Sequence, residues 1–545
     1  MMNAGKRSWL QPVYCYGIIV AVGFILYVKT LCFKLTYLDD NVWLLDYYWY
    51  LKNLSNFPQL FLQPDLISGV FYRPILNFSF MLNAVIAGSS PWIYHLTNIM
   101  IHVVNGCLVF TLLRKLGYLL RLSLLASLVW VTHPVLTQAV VWIPGRTDSF
   151  LALWIFISLI SFLKSLETKA CFYYICHLFF FLLACLTKET AVIFPLICLL
   201  WINLILKPKP SFKKQLFFVL GWAFILLGWL IARGIVLSHS RAISVEEILK
   251  SILENSPGFI SYLGKVYLPV NLSVMPIPQD TTLMYGFVTM IALIPGLIFS
   301  KNKRTHYIIF GVACFFLFMF HSLVVSFLNH EYRLYLPIFG CMVVTLEMHV
   351  VKKIGIQGSK AWIAATLVII LFFIMTFRYS DRFKDRFTFW ESAVKTSPHS
   401  PLAHRNLGAM HHLEGRLEKA ELEYKKAMEL NPYEHMVHNN LGLIYADRGD
   451  LKAAEMEYRT EIRINPTYDN VYYNFGLLYL REGRFQEAEA HWKKTIELNP
   501  KYIDAYKQLL IYYLNQKDFV QAAFYAQELK KRGIVLPPRL FNKLK

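Results

Sequence analysis

Up to about residue 378 the chain alternates apolar runs with short polar breaks, and beyond that point the pattern stops. A helix needs roughly 20 predominantly apolar residues to cross a bilayer. Stretches that approach or meet this length lie near residues 11–33, 94–113, 119–142, 149–163, 172–186, 190–206, 215–236, 283–300, 306–328, 334–351 and 361–378. Composition agrees: 56% of residues are hydrophobic and only 17% are charged. That balance excludes an ordinary soluble chain and predicts an all-α, polytopic membrane bundle of about eleven spans. The segment "FISYLGKVYLPVNLSVMPI" (259–277) is left open: it crosses, re-enters or lies along the surface.

The net charge of +20 would suggest nucleic acid in a soluble protein, but its distribution argues otherwise. Residues 1–378 hold 29 Lys and Arg against 13 Asp and Glu. The excess lies in alternate short loops: Lys6-Arg7; Arg114, Lys115 and Arg121; Lys164 and Lys169; Lys207, Lys209, Lys213 and Lys214; Lys301, Lys303 and Arg304; Lys352, Lys353 and Lys360. Positive charge of this kind marks the cytoplasmic side. Eleven crossings keep every basic loop inside only if 259–277 does not cross. The loop 36–93 and the C-terminal tail then lie outside. The nine cysteines all precede residue 342 and read as small core residues, with neither a disulfide framework nor a zinc site. The first apolar run lacks a small-residue cleavage site and reads as an uncleaved anchor.

The tail is an internal repeat. "NLGAMHHLEGRLEKAELEYKKAMELNP" (406–432) returns as "NLGLIYADRGDLKAAEMEYRTEIRINP" (440–466) and "NFGLLYLREGRFQEAEAHWKKTIELNP" (474–500), with a period of 34. This is the tetratricopeptide signature of paired antiparallel helices. Domains are expected at 1–378 and 379–545. The tail divides into a partial repeat at 379–398, repeats near 399–432, 433–466 and 467–500, and a degenerate copy at 501–534 in which Lys517 replaces the turn glycine.

With this topology the unusual polar residues fall on the outer side. The first outer loop holds Asp39, Asp40 and Arg73. The third span carries His133, then Arg146 and Asp148. "LTKETA" gives Lys188 and Glu189, and "NHEYRLYLP" gives His330, Glu331, Arg333 and Tyr335. Bland readings stand beside the functional one. A cation at a span end is an interfacial anchor, and His133 before a proline satisfies a freed carbonyl. His95 and His102 are polar glue more readily than metal ligands. Asp39-Asp40 caps the next segment. Together, carboxylates, cations and aromatic residues on one membrane face suit an anionic phospholipid head group bearing a sugar.

"LDDNV", "YRPILNFSFMLN", "PWIYHLTNIMIHVVNGCLVFTLL", "HPVLTQAVVWIPGRTDSF", "LTKETAVIFPL" and "EYRLYLP", followed by the repeats, resemble the transmembrane and tetratricopeptide repeat-containing proteins. That family includes cadherin-directed O-mannosyltransferases and bacterial relatives, within the C-type membrane glycosyltransferases. "YLGKVYLPVNLSV" is closer to the bacterial relatives. The resemblance implies a glycosyltransferase bundle followed by a tetratricopeptide α-solenoid. It also implies transfer of a sugar, mannose first, from a polyprenyl- or dolichyl-phosphate donor to a protein Ser/Thr hydroxyl.

On this reading Asp39 and Asp40 are catalytic. Lys188, Arg333, Arg146 and Arg73 meet the donor phosphate, and His133, Asp148, Glu189, Glu331 and Tyr335 are further site candidates. No metal ligand is assigned. The expected partners are the lipid-linked donor and an acceptor or partner protein in the repeat groove. The expected place is a bacterial inner membrane with the repeats in the periplasm, or the endoplasmic reticulum with the repeats in the lumen. A membrane-anchored scaffold and a lipid-linked glycan flippase are the rival readings.

Overall fold

The computed structural model describes residues 11–168, 170–238, 244–324, 330–356, 359–532 and 534. The described residues form helices and no strand. They divide into two units, one ending at Ser397 and one beginning at Pro398. Lys6, Arg7 and Lys169 lie outside the described residues, as does the side chain of Lys360.

In the first unit, six described helices are long and apolar enough to cross a membrane: Pro12–Cys32, Pro91–Lys115, Ile143–Glu167, Phe212–Val236, Thr305–Val324 and Trp362–Phe383. The pair Leu120–Val131 and Pro134–Val141 makes a further span bent by 49°. Shorter apolar helices occupy the other expected positions, Cys171–Cys185, Glu189–Ile205, Met284–Ile298 and Pro337–Leu346. The open segment becomes a ten-residue helix, Gly258–Tyr267, followed by irregular chain. At about 1.5 Å per residue this helix is far short of a bilayer.

The helix Pro91–Lys115 is the hub, packing against Pro12–Tyr27, Leu120–Val131 and Arg146–Glu167. Gly106 makes the close approach possible, because a Cβ there would lie 2.5 Å from Val131 and 3.0 Å from Ile19. Its buried polar residues Asn98, His102 and Asn105 fall at helical spacing on one face. Asn98 and His102 face the two breaks in the neighbouring spans. Asn98 donates to the carbonyls of Val140, Trp142 and Ile143. His102 bonds the Val131 carbonyl, and Asn105 donates to that of Ser149. Broken helices survive in hydrocarbon only when their freed carbonyls find such partners. That is the role of His102, whose other ring nitrogen meets Tyr335.

The loop 36–93 is folded. Trp43, Leu44, Leu51, Leu60, Leu76 and Phe80 bury together under Tyr94 and Ile143. The helix Arg386–Thr396, expected as part of a leading repeat, lies in the first unit, where Phe389 packs on Phe383 at 5.6 Å between ring centroids.

The second unit stacks helix pairs at the expected period. In the three regular repeats, a glycine on the first helix receives an aromatic ring from the second, sixteen residues on. A Cβ at Gly408 would lie 2.7 Å from Tyr424, one at Gly442 would lie 2.5 Å from Tyr458, and Gly476 sits tighter still on Trp492. In the degenerate copy the sizes are exchanged. The equivalent positions are Leu510 and Ala526, both buried in the same core, so the large residue now stands on the first helix and the small one on the second. Volume is conserved although the motif is lost.

Candidate functional site

Helix breaks at the ends of the spans set the chemistry of this protein, because a break releases side chains from the lipid-facing pattern. The chain leaves the first span, turns through Tyr37 and Asp39, both in the left-handed region (φ 58° and 64°), and re-enters helical geometry at Asp40. A non-glycine residue there costs about 1–2 kcal/mol, and Asp is among the few that tolerate it. Asp40 holds this turn. Its Oδ2 accepts from the Thr36 amide at 2.6 Å and the Thr36 hydroxyl at 2.9 Å. It is 1% exposed, and burial raises its pKa to about 6.

Asp39 instead faces a cavity of about 200 Å³, shared with Asp65, Arg73, Asp148, Lys188, Arg333 and His321 and walled by Trp43, Phe71, Trp142 and Tyr332. They come from separate parts of the chain: Asp65 and Arg73 from the loop before Pro74–Ala87, Asp148 from the first turn of Arg146–Glu167, Lys188 from the step after Cys171–Cys185, His321 from the helix Thr305–Val324 and Arg333 from the 3-10 turn Glu331–Leu334. Burial raises the Asp39 pKa. Asp65 is likewise buried, and burial, against the opposing charge of Arg73, raises its pKa to about 6.

The cations differ in how they are held. Arg73 donates through Nε (3.2 Å) and one terminal nitrogen (2.9 Å) to the same oxygen of Glu189. Lys188 reaches both oxygens of Asp148, at 2.8 and 2.6 Å. Arg333 has no carboxylate within ion-pair distance among the described residues. Three cations therefore surround a small polar basin, two braced by acids and the third without such a brace. An incoming anion would find positive charge already desolvated and oriented, which strengthens its interaction.

Several sequence candidates lie elsewhere. Arg146 is fully buried behind the cavity, donating to Asn98 Oδ1 at 2.7 Å, to Ser79 and to the Tyr94 carbonyl. Its charge ties three helices together and does not reach the basin. His133 accepts from the Val135 amide and bonds the Val266 carbonyl at 2.8 Å. Glu331 is a buried hub for Lys265, the Ser273 amide and Tyr379. Tyr335 bonds His102 and Asn105. Asp148 and Glu189 act through the cations they hold. Sequence reasoning missed Asp65, His321, Trp142 and Tyr332. Asp65 had a weak signal, as an acid in the same loop as Asp39; the others look like ordinary span-end residues.

The fold and this basin define a multi-pass helical membrane protein with a tetratricopeptide domain. Tetratricopeptide repeat models match residues 389–435, 437–468 and 470–502. The chain is similar to the protein O-mannosyl-transferase TMTC2 of Homo sapiens, 38% identical over 103 residues, which is 18% of this chain and 12% of that protein. It is similar over a longer stretch to the protein O-mannosyl-transferase F38B6.6 of Caenorhabditis elegans, 23% identical over 375 residues, 65% of this chain and 53% of that protein. The protein O-mannosyl-transferase TMTC1 of Mus musculus is 30% identical over 148 residues, 25% of this chain and 16% of that protein. The matches thus span about half or less of the length of these relatives. The relatives and the repeats fit the transmembrane and tetratricopeptide repeat-containing family, and this chain is a relative of its O-mannosyl-transferases.

Proposed function

We propose that the chain is a membrane glycosyltransferase that moves mannose from a polyprenyl- or dolichyl-phosphate donor to a protein Ser/Thr hydroxyl on the non-cytoplasmic side. The observation that carries this reading is the convergence of Asp39 with Arg73, Lys188 and Arg333 on one cavity. In the reaction the acceptor oxygen forms a bond to the sugar's anomeric carbon. The bond from that carbon to the lipid-phosphate oxygen breaks, and its electron pair leaves with the phosphate. Asp39 takes the hydroxyl proton; its raised pKa makes it a stronger base than an ordinary carboxylate. Arg333 and Lys188 stabilise the charge that develops on the leaving phosphate. Asp40 contributes by holding the turn that presents Asp39.

The repeat unit belongs to a class that binds other proteins, and it serves here to recruit the acceptor. The test is transfer of labelled sugar from defined lipid-phosphate donors to membrane and secreted protein by the purified chain. Mannose from a dolichyl or polyprenyl phosphate should label protein in an alkali-labile linkage. Failure with every lipid-phosphate donor, by a folded protein, would bring the scaffold reading forward.

A further inference from the structure

A second cavity, of about 350 Å³, lies within the membrane part and differs in kind from the basin around Asp39. Its wall is Leu122, Leu125, Ala126 and Val129 on one helix, Ile338 and Met342 on another, and Ala365, Val368 and Phe372 on the helix Ser359–Ser380. The polar side chains His133, Tyr267 and Thr345 are turned to protein partners: His133 to the Val266 carbonyl, Tyr267 to the Cys341 carbonyl and to Thr345. Water needs two or more polar partners to occupy such a space, and this wall offers none for a chain of waters. The helix Trp362–Phe383 is the least buried of the spans, with 17% of its apolar window covered by protein, and Val368 is 41% exposed, so the cavity opens toward lipid.

One end of the groove is basic. Arg121 precedes Leu122 and is exposed, with its guanidinium 5.9 Å from the Trp362 ring centroid. A tryptophan beside an arginine at a span end marks the head-group level. We propose that this groove holds an acyl chain of a resident anionic glycerophospholipid whose phosphate meets Arg121. The apolar wall fixes the tail, and the arginine fixes the sign of the head group. The inference rests on the membrane reading and is independent of sugar transfer.

The full chain is purified in mild detergent, exchanged into micelles containing phosphatidylglycerol or phosphatidylcholine, and examined by native mass spectrometry. The wild type should retain one phosphatidylglycerol, about tenfold more readily than phosphatidylcholine. Val368→Trp, which fills the groove from its lipid side, should lose that retention, whereas Ile370→Trp, at an exposed position outside the wall, should keep it. Arg121→Gln should reduce the preference for phosphatidylglycerol while leaving some binding of both. Equal retention of the two lipids by the wild type would overturn the proposal, as would equal retention by the two tryptophan variants. Displacement of phosphatidylglycerol by a polyprenyl phosphate at equal concentration would also overturn it, assigning the groove to the donor's tail.

Discussion

Asp39→Asn isolates the proton-accepting role of one carboxylate. The left-handed turn at φ 64° tolerates Asn about as well as Asp, so the backbone should not move. What is lost is the ability to accept a proton readily. Removing a general base costs about 100- to 10,000-fold in rate, or about 2.7–5.5 kcal/mol of barrier at about 1.36 kcal/mol per decade. Asp39→Ala should show the same rate loss and, in addition, about 1–2 kcal/mol of lost stability from strain in the turn. Asp40→Asn should behave differently. Its amide oxygen can still accept from Thr36, so the main consequence is a weakened turn of about 1–3 kcal/mol and a smaller rate loss. Because Asp39 must be ionised to act and burial raises its pKa, activity should fall with acidity before an ordinary aspartate would protonate. The assay is single-turnover transfer of labelled mannose, with the melting temperature measured on the same preparations. An Asp39→Asn protein that melts normally and transfers within threefold of the wild-type rate would refute the base assignment. So would a greater rate loss at Asp40→Asn with unchanged melting.

Arg333→Gln should raise KM for the lipid-phosphate donor about 10- to 100-fold, the worth of a charge-assisted hydrogen bond, and an unchanged KM would remove Arg333 from the donor site. Gly442→Val should destabilise the repeat unit by about 1–3 kcal/mol, read as a lower melting temperature, because its Cβ would enter the Tyr458 ring. Lys517→Gly should stabilise the last repeat by about 1 kcal/mol in denaturant titration, since Lys517 sits at φ 57° where the other three turns use glycine. Burial lowers the pKa of His438, but the Glu457 carboxylate 2.6 Å away offsets this and leaves it raised. Its stabilising contribution is therefore complete below the ordinary histidine pKa and is lost as pH rises through the raised value. Melting of the repeat unit should fall over that window, and His438→Gln should flatten the dependence.

The candidate site was legible in part, and the division is physical. Asp39, Lys188, Arg333 and Arg73 could be chosen from the sequence because charge at a span boundary is costly and therefore conspicuous. Arg146, Glu331 and Tyr335 were as conspicuous, and the structure places them outside the cavity, where their polar atoms meet helix breaks and buried networks. Adjacent Asp39 and Asp40 looked equivalent, yet one left-handed residue turns one toward the cavity and the other toward Thr36. Asp65 was overlooked because nothing local distinguishes it from other loop acids.

The sequence by itself determined the apolar helical segments, the 34-residue repeat and its glycine landmarks, because each depends on local periodicity and side-chain size. Which polar residues meet was decided only by the tertiary structure. Asp39, Asp65, Asp148, Lys188 and Arg333 come from separate segments of the chain. Their convergence depends on how the bent spans pack around Pro91–Lys115, where Asn98 and His102 hold the freed carbonyls. Hydrophobic periodicity carries the direction of each helix face but no long-range register, so a shared cavity exists only once the helices have been set against one another.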